Sequence, residues 1–226
     1  MSWLLFDADD TLWDNNVFFE IAIDAFFEFL GVPEGNLESA RRHLDEIEMR
    51  NIEKHGYGTA NFGLNLIECF EAAKGRPATA EERLRIERLV DAVREHRIEP
   101  YPQVPETLDE LGRRSRLALV TKGDATEQRA KIERSGLAGH FEHIEYLPEK
   151  DAARYLRLVA DLNASPETTW MIGNSPKSDV NPALAAGLGA VLIPNKNTWT
   201  LEVQDIPQDH PRFRMVRRFS DLTAIF

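Results

Sequence analysis

The chain opens on a run without polar residues, Trp3-Leu4-Leu5-Phe6, the pattern of a strand buried on both faces of a parallel sheet. From about residue 14 to 97 the apolar positions recur at helical spacing instead. Phe18, Ala22, Phe26 and Phe29 mark a first helix, with Asp14 to Asn16 offering a cap and Gly31-Val32-Pro33 stopping it. Leu37, Ala40, Leu44, Ile47 and Asn51 predict a second, ended near Gly56 and Gly58. Phe62, Leu66, Phe70 and Ala73 predict a third, ended by Gly75-Arg76-Pro77. Thr79 with Glu82 forms a capping box for a fourth, which carries Ile86, Leu89 and Val93.

Glu99-Pro100-Tyr101-Pro102-Gln103-Val104-Pro105 reads as a linker, because three prolines crowd seven residues. Beyond it strands alternate with helices. Leu117 to Thr121, His143 to Leu147, Thr169 to Gly173 and Ala190 to Ile193 read as strands. Helices are expected from Asp124, over Ala152 to Leu162, and up to Ala186. This alternation predicts an α/β fold, a doubly wound parallel sheet with right-handed crossovers. The expected division is a sheet domain over 1–13 and 99–226, with a helical domain over 14–98 inserted after the first strand.

Length and composition narrow the picture. The 226 residues suit one large domain, or a core with a smaller insert. A hydrophobic share of 42% is enough for a packed core, which excludes a wholly disordered chain. No apolar run approaches the ~18 residues of a membrane helix. No basic residue precedes Arg41, so a secretory leader is not expected. The single cysteine, Cys69, excludes an internal disulfide framework and suits a reducing cytoplasm. A net charge of −11 argues against a nucleic-acid partner. The acids are concentrated near the start, where residues 1 to 40 hold nine and no base. Glu20, Asp24 and Glu28 recur four apart, as on a solvated helix face. Asp7, Asp9 and Asp10 directly follow an apolar strand, where solvation does not explain them.

Ligands of doubly wound sheets bind beyond the carboxyl ends of the strands. The residues there are Asp7-Ala8-Asp9-Asp10-Thr11, Thr121-Lys122-Gly123-Asp124, Glu149-Lys150-Asp151 and Gly173-Asn174-Ser175-Pro176-Lys177-Ser178-Asp179. Acids, hydroxyls and lysines on one rim suit a hard, oxygen-liganded cation facing a phosphate. Asp7 and Asp9 project the same way from an extended segment. Two carboxylates so close repel, and one should titrate high unless a cation intervenes. One carboxylate to attack and another to move protons is the equipment of aspartyl-phosphate chemistry. An Asx-turn built of aspartates is the competing explanation.

Four segments, Asp7-Ala8-Asp9-Asp10-Thr11, the strand ending in Thr121, Lys150, and Gly173-Asn174-Ser175 with Asp179, resemble in order the signature motifs of the haloacid dehalogenase superfamily. The helical insert is similar to the small helical cap of that superfamily's phosphoglycolate phosphatase and dehalogenase-like branch. The resemblance implies that Asp7 is the nucleophile and that Asp9 is the general acid and base. It implies that Thr121 and Lys150 hold phosphoryl oxygens, and that Mg²⁺ is bound by Asp7, the Asp9 carbonyl, Asn174 and Asp179. Dehalogenating members carry a non-acidic residue two places after the nucleophile; Asp9 here favours phosphoryl transfer.

Two departures stand out. The family's lysine is commonly followed by proline, whereas Lys150 precedes Asp151, so Lys122 and Lys177 are rivals for its place. The last motif usually begins Gly-Asp but here reads Gly173-Asn174, which shifts electrostatic load to Asp179. Outside the motifs, Asp10 is expected to be solvated or to form a turn, and Ser175 and Ser178 to cap a helix. The six histidines show no metal-ligand spacing. Trp13 either lines a hinge or packs. Arg212, Arg214, Arg217 and Arg218 read as a solvated basic strip.

The expectation is a cytoplasmic, Mg²⁺-dependent phosphohydrolase of a small phosphorylated metabolite, acting as a monomer or homodimer without nucleic-acid or membrane partners. A phosphomutase using the same Asp7, a dehalogenase and a non-catalytic binding relative are the alternatives.

Overall fold

The computed structural model describes residues 2–226. Six strands, β1 (Trp3–Phe6), β2 (Arg116–Lys122), β3 (His143–Leu147), β4 (Thr169–Gly173), β5 (Gly189–Leu192) and β6 (Phe213–Met215), form one sheet in the order β3-β2-β1-β4-β5-β6. Every pairing is parallel. β1 lies between β2 and β4, with Phe6 in register with Leu119 on one side and Ile172 on the other. The chain winds outward from β1 through β2 and β3, then returns to β4, so the strand order reverses beside β1. Doubly wound sheets take their ligands beyond the strand ends at such a reversal.

Apolar strands supply both faces of this sheet. Leu5, Ala118, Val120, Met171 and Ala190 pack on one face with Tyr155, Leu158 and Val159 of α7 (Ala152–Asp161) and with Ala183 and Leu184 of α8 (Asn181–Ala185). Leu4, Phe6, Leu119, Ile172 and Val191 pack on the other, with Val104, Leu108 and Leu111 of α5 (Val104–Gly112) and Ile132 of α6 (Ala125–Ser135). The unbroken apolar run of β1 is therefore two alternating stripes, each burying its own side. Each large side chain so buried contributes roughly 1.5–3 kcal/mol.

The backbone divides into two compact units, Met1–Asn16 with Ile98–Phe226, and Val17–Arg97. The second is helical: α1 (Asn16–Leu30), α2 (Leu37–His55), α3 (Thr59–Lys74) and α4 (Ala80–Arg94). Phe26, Phe27, Leu44, Phe62, Leu66, Phe70 and Ile86 form its core. The capping box at α4 is present in both directions, the Thr79 hydroxyl accepting from the Glu82 amide and Glu82 accepting from the Thr79 amide. The break expected after residue 13 falls three residues later for a visible reason. The Tyr101 hydroxyl donates to Asp14 (2.8 Å), Lys131 donates to Asn15 (3.1 Å) and Asn16 donates to the Asn197 carbonyl (2.9 Å), tying that segment to the sheet unit.

Two elements were not anticipated. The proline-rich linker runs directly into α5, whose Pro105 occupies the first turn, where a missing amide hydrogen does no harm. β6 is a three-residue edge strand within the basic strip. Arg212 beside it is not merely solvated, since its guanidinium donates to the Pro166, Gly187 and Thr169 carbonyls. Among the described residues no helix is long and apolar enough to cross a membrane.

Candidate active site

Asp7 leaves β1 at the strand-order reversal, its amide donating to the Ile172 carbonyl of β4 at 2.9 Å. Its carboxylate has two partners. The Lys150 ammonium donates to Oδ1 at 2.5 Å, and the Thr11 hydroxyl donates to Oδ2 at 2.9 Å. Lys150 also donates to Asp179 Oδ1 at 2.8 Å and is 4% exposed. Burial works against its charge, but Asp179 and Asp7 outweigh that and hold the ammonium well above its ordinary range. Among the described residues it is Lys150, rather than Lys122 or Lys177, whose amine reaches Asp7.

Asp179 was expected on a metal, yet both its oxygens are engaged, Oδ1 by Lys150 and Oδ2 by the Ser175 amide at 2.9 Å. It lies on the π-helical turn Pro176–Val180. Gly173 is required for this arrangement, because a Cβ there would fall 2.1 Å from Asp179 Oδ2. Asp179 neutralises Lys150 instead of facing open space.

Asp9 has a separate set of donors. The Trp13 indole donates to Oδ1 at 2.9 Å, and Gln128 donates to Oδ2 at 3.0 Å, where Lys131 forms an ion pair. Burial would raise this carboxyl, but Lys131 with the Gln128 and Trp13 donors holds it below the ordinary carboxylate range. Asp9 thus does not titrate high, because the Lys131 ammonium stands beside it. Each carboxylate has its own lysine, and the two share no donor. Trp13 is fully buried and combines packing with that hydrogen bond.

Of the two expectations for Asp10, solvation and a turn, the structure shows the turn. At φ 59° it turns its buried carboxylate onto the Asn15 and Asn16 amides at the start of α1. Burial, strengthened by Asp9 and Asp7 and opposed by those amides, pushes it up to about 7.

Lys122 follows the buried Thr121 at the end of β2. Its amine, expected on substrate, donates to Glu202 (2.7 Å) and Ser178 (2.9 Å) and lies 3.4 Å from Glu149. Glu202 also accepts from Ser175 at 2.6 Å and from Ser178. Burial opposes the Glu202 charge, and Lys122 with the two hydroxyls still holds it low. Ser175 does cap the following turn, accepting from the Ser178 amide at 2.8 Å.

Asn174 joins Asp7 through Thr11, whose hydroxyl lies 3.2 Å from Asn174 Oδ1. That hydroxyl has one proton and two acceptors, Asp7 Oδ2 and Asn174 Oδ1. Among the described residues the Thr11 proton can therefore serve only one of these two oxygens at a time. Oxygen-only donors with such a deficit fit a hard divalent cation, and Mg²⁺ in particular keeps several waters and needs few carboxylates. Among the described residues no three His, Cys, Asp or Glu side chains gather as a metal cluster, so the fit rests on Asp7, Asn174 and main-chain oxygen.

The residues outside the sequence reading are Gln128, Lys131, Thr198 and Glu202. Gln128 and Lys131 are buried polar residues three apart on α6, a polar stripe beside the apolar position Ile132. Thr198 and Glu202 sit past β5 in a segment without periodicity.

A model of the haloacid dehalogenase-like hydrolase family matches residues 1–187. The chain is similar throughout its length to the crystal structure of a haloacid dehalogenase-like family hydrolase from Xanthomonas campestris, with a TM-score of 0.87, 32% identity and 90% of that chain covered. It is 36% identical over 134 residues to a phosphoserine phosphatase of Thermus thermophilus, covering 56% of this chain and 51%, about half, of that protein. It is 26% identical over 204 residues to the human N-acylneuraminate-9-phosphatase, covering 86% of this chain and 82% of that one.

Proposed function

The chain belongs to the haloacid dehalogenase-like hydrolase family, and from that premise we propose that it is a Mg²⁺-dependent phosphohydrolase of a small phosphomonoester. The observation that carries this reading is the buried Asp7 carboxylate, held at the strand-order reversal by Lys150 and Thr11. Two relatives named phosphatases support the choice of phosphoryl transfer, and so does the acid at position 9.

In the proposed reaction an Asp7 oxygen attacks the phosphorus, forming an aspartyl phosphate as the ester oxygen leaves. Asp9, once it has taken up a proton against the pull of Lys131, gives it to that oxygen and then takes one from the water that hydrolyses the acyl phosphate. Lys150 bears on Asp7 and on the incoming negative oxygens, and the Thr121 segment lines the same rim. Asp7, the Asp9 carbonyl and Asn174 would hold Mg²⁺, which supplies positive charge against the phosphoryl oxygens. Asp179 serves by fixing Lys150. Positioning and charge stabilisation carry most of such a reaction.

Phosphate release from an aryl phosphate and from a panel of phosphorylated metabolites, with and without EDTA, tests the reading. Asp7→Asn should abolish release while leaving the fold intact, and rapid-quench mass spectrometry should find phosphate on Asp7 of the wild type. Release within about tenfold of wild type in Asp7→Asn, with deamidation excluded, means that another residue attacks. Isomerisation of a sugar phosphate with little release means a mutase.

A further inference from the structure

Asn174 stands where an amide, unlike a carboxylate, has a right and a wrong way round. Its Nδ2 donates to the Thr198 hydroxyl at 3.0 Å, and its Oδ1 faces Thr11. The Thr198 hydroxyl in turn donates to the Asn195 carbonyl at 2.9 Å. That carbonyl also accepts from the Thr198 amide at 3.1 Å, and while the single hydroxyl proton points there the Thr198 oxygen can only accept from Asn174. The amide must then present its NH₂ to Thr198 and its oxygen to Thr11 and Asp7.

The opposite orientation would suit Thr11 better. With the NH₂ turned inward it would donate to Thr11 Oγ1, freeing the Thr11 proton for Asp7 Oδ2 and relieving both oxygens without any cation. Thr198 is what opposes this, because to meet the flipped oxygen its hydroxyl would have to take its proton from the Asn195 carbonyl, which would keep only the Thr198 amide. The loop holding Thr198 is itself anchored, Asn195 donating to the Asp10 carbonyl (2.8 Å) and to the Tyr101 hydroxyl (2.9 Å).

We propose that Thr198, backed by the Asn195 carbonyl, is a positioning residue that keeps Asn174 Oδ1 turned toward Asp7 and so preserves the oxygen pair that takes the divalent cation. This inference rests on the metal reading above. It also accounts for how an amide serves at a position where a carboxylate would need no orienting partner.

The test measures Mn²⁺ binding to purified full-length protein by the electron paramagnetic resonance signal of the free ion, without substrate. Thr198→Val should weaken binding by about tenfold or more, and Thr198→Ser, which restores the hydroxyl, by less than about threefold. In an Asn174→Asp background, where both atoms are oxygen, adding Thr198→Val should change binding by less than about threefold. The double variant also shows that position 198 tolerates valine. Wild-type affinity in Thr198→Val overturns the proposal, as does an equal loss in both backgrounds. Absence of Mn²⁺ binding by the wild type overturns the metal reading itself, and this inference with it.

Discussion

The Lys150 ammonium donates to the Asp7 carboxylate over 2.5 Å from a side chain that is 1% exposed. The same amine serves Asp179, equally buried. Removing it leaves two carboxylates in a dry site with no cation between them. Lys150→Met should therefore cost about 3–5 kcal/mol of stability and lower the melting temperature by roughly 10 °C. Adding Asp179→Asn removes one uncompensated charge and should recover part of that loss. Thermal melts of the single and double variants without added metal check this. A Lys150→Met protein as stable as wild type would mean that the ion pair is not what neutralises the two acids.

Lys131 bears on Asp9 as Lys150 bears on Asp7, but here the consequence falls on proton transfer. Lys131→Met leaves Asp9 with the Gln128 and Trp13 donors and a freer carboxylate. Against burial, Lys131 holds Asp9 below the ordinary carboxylate range, so without it Asp9 takes a proton more readily. An alkyl phosphate, whose leaving oxygen needs that proton, should then lose less than an aryl phosphate, which reports mainly the weakened base. The aryl loss should fall below the full 10²–10⁴-fold expected for general acid–base catalysis, at roughly tenfold. The measurement is kcat and KM on both esters. A loss confined to KM and equal for the two would make Lys131 a substrate-charge residue instead.

The sheet was legible because its strands are short, almost unbroken apolar runs closed by turn residues, and a run such as Trp3–Phe6 has few other places to go. The α4 start was legible because Thr79 and Glu82 complete each other's bonds locally. α5 was not, since prolines that signal a linker also suit a helix's first turn, and only packing of Val104, Leu108 and Leu111 decides between them. β6 is too short to show a period. In the site, Asp7, Thr11, Lys150 and Asn174 could be read from their places after strands. Their division of labour with Asp179 could not, because it depends on which oxygen a buried amine reaches. Lys131, Thr198 and Glu202 reach the site from 122, 24 and 27 residues away from their partners, a separation no local pattern records.

Gln103, the residue before α5, has φ 69°, a conformation that a side chain opposes and glycine accepts freely. The opposition is about 1–2 kcal/mol, part of which glycine returns through a more flexible unfolded chain. Gln103→Gly should therefore stabilise the protein by roughly 0.5–1 kcal/mol. A denaturant midpoint that falls instead would show that the Gln103 side chain makes a compensating contact.

Glu48 is the remaining buried acid whose charge has no evident use. It lies on α2 at 5% exposure, and among the described residues its Oε2 has no hydrogen-bond partner. Burial pushes it from an ordinary 4.5 up to about 7; Arg41 pulls the other way, while Asp45 and Glu20 add to the rise. Arg41 is already committed, donating to Glu20 and Asp45 at 2.9 Å each. Below pH 4.5 Glu48 holds its proton both folded and unfolded, and burial of the charge costs nothing. Between 4.5 and about 7 the folded chain keeps a proton that the unfolded chain releases, so stability falls as pH rises. Above about 7 the whole difference is lost, on the order of 3 kcal/mol. Glu48→Gln removes the charge and keeps the shape. It should raise the melting temperature by roughly 6–12 °C at pH 8 and by much less at pH 5. Melts of the two proteins across that range decide the matter: an equal gain at both pH values would place the benefit in packing or hydrogen bonding, and no gain at pH 8 would mean that Glu48 finds a partner for its charge.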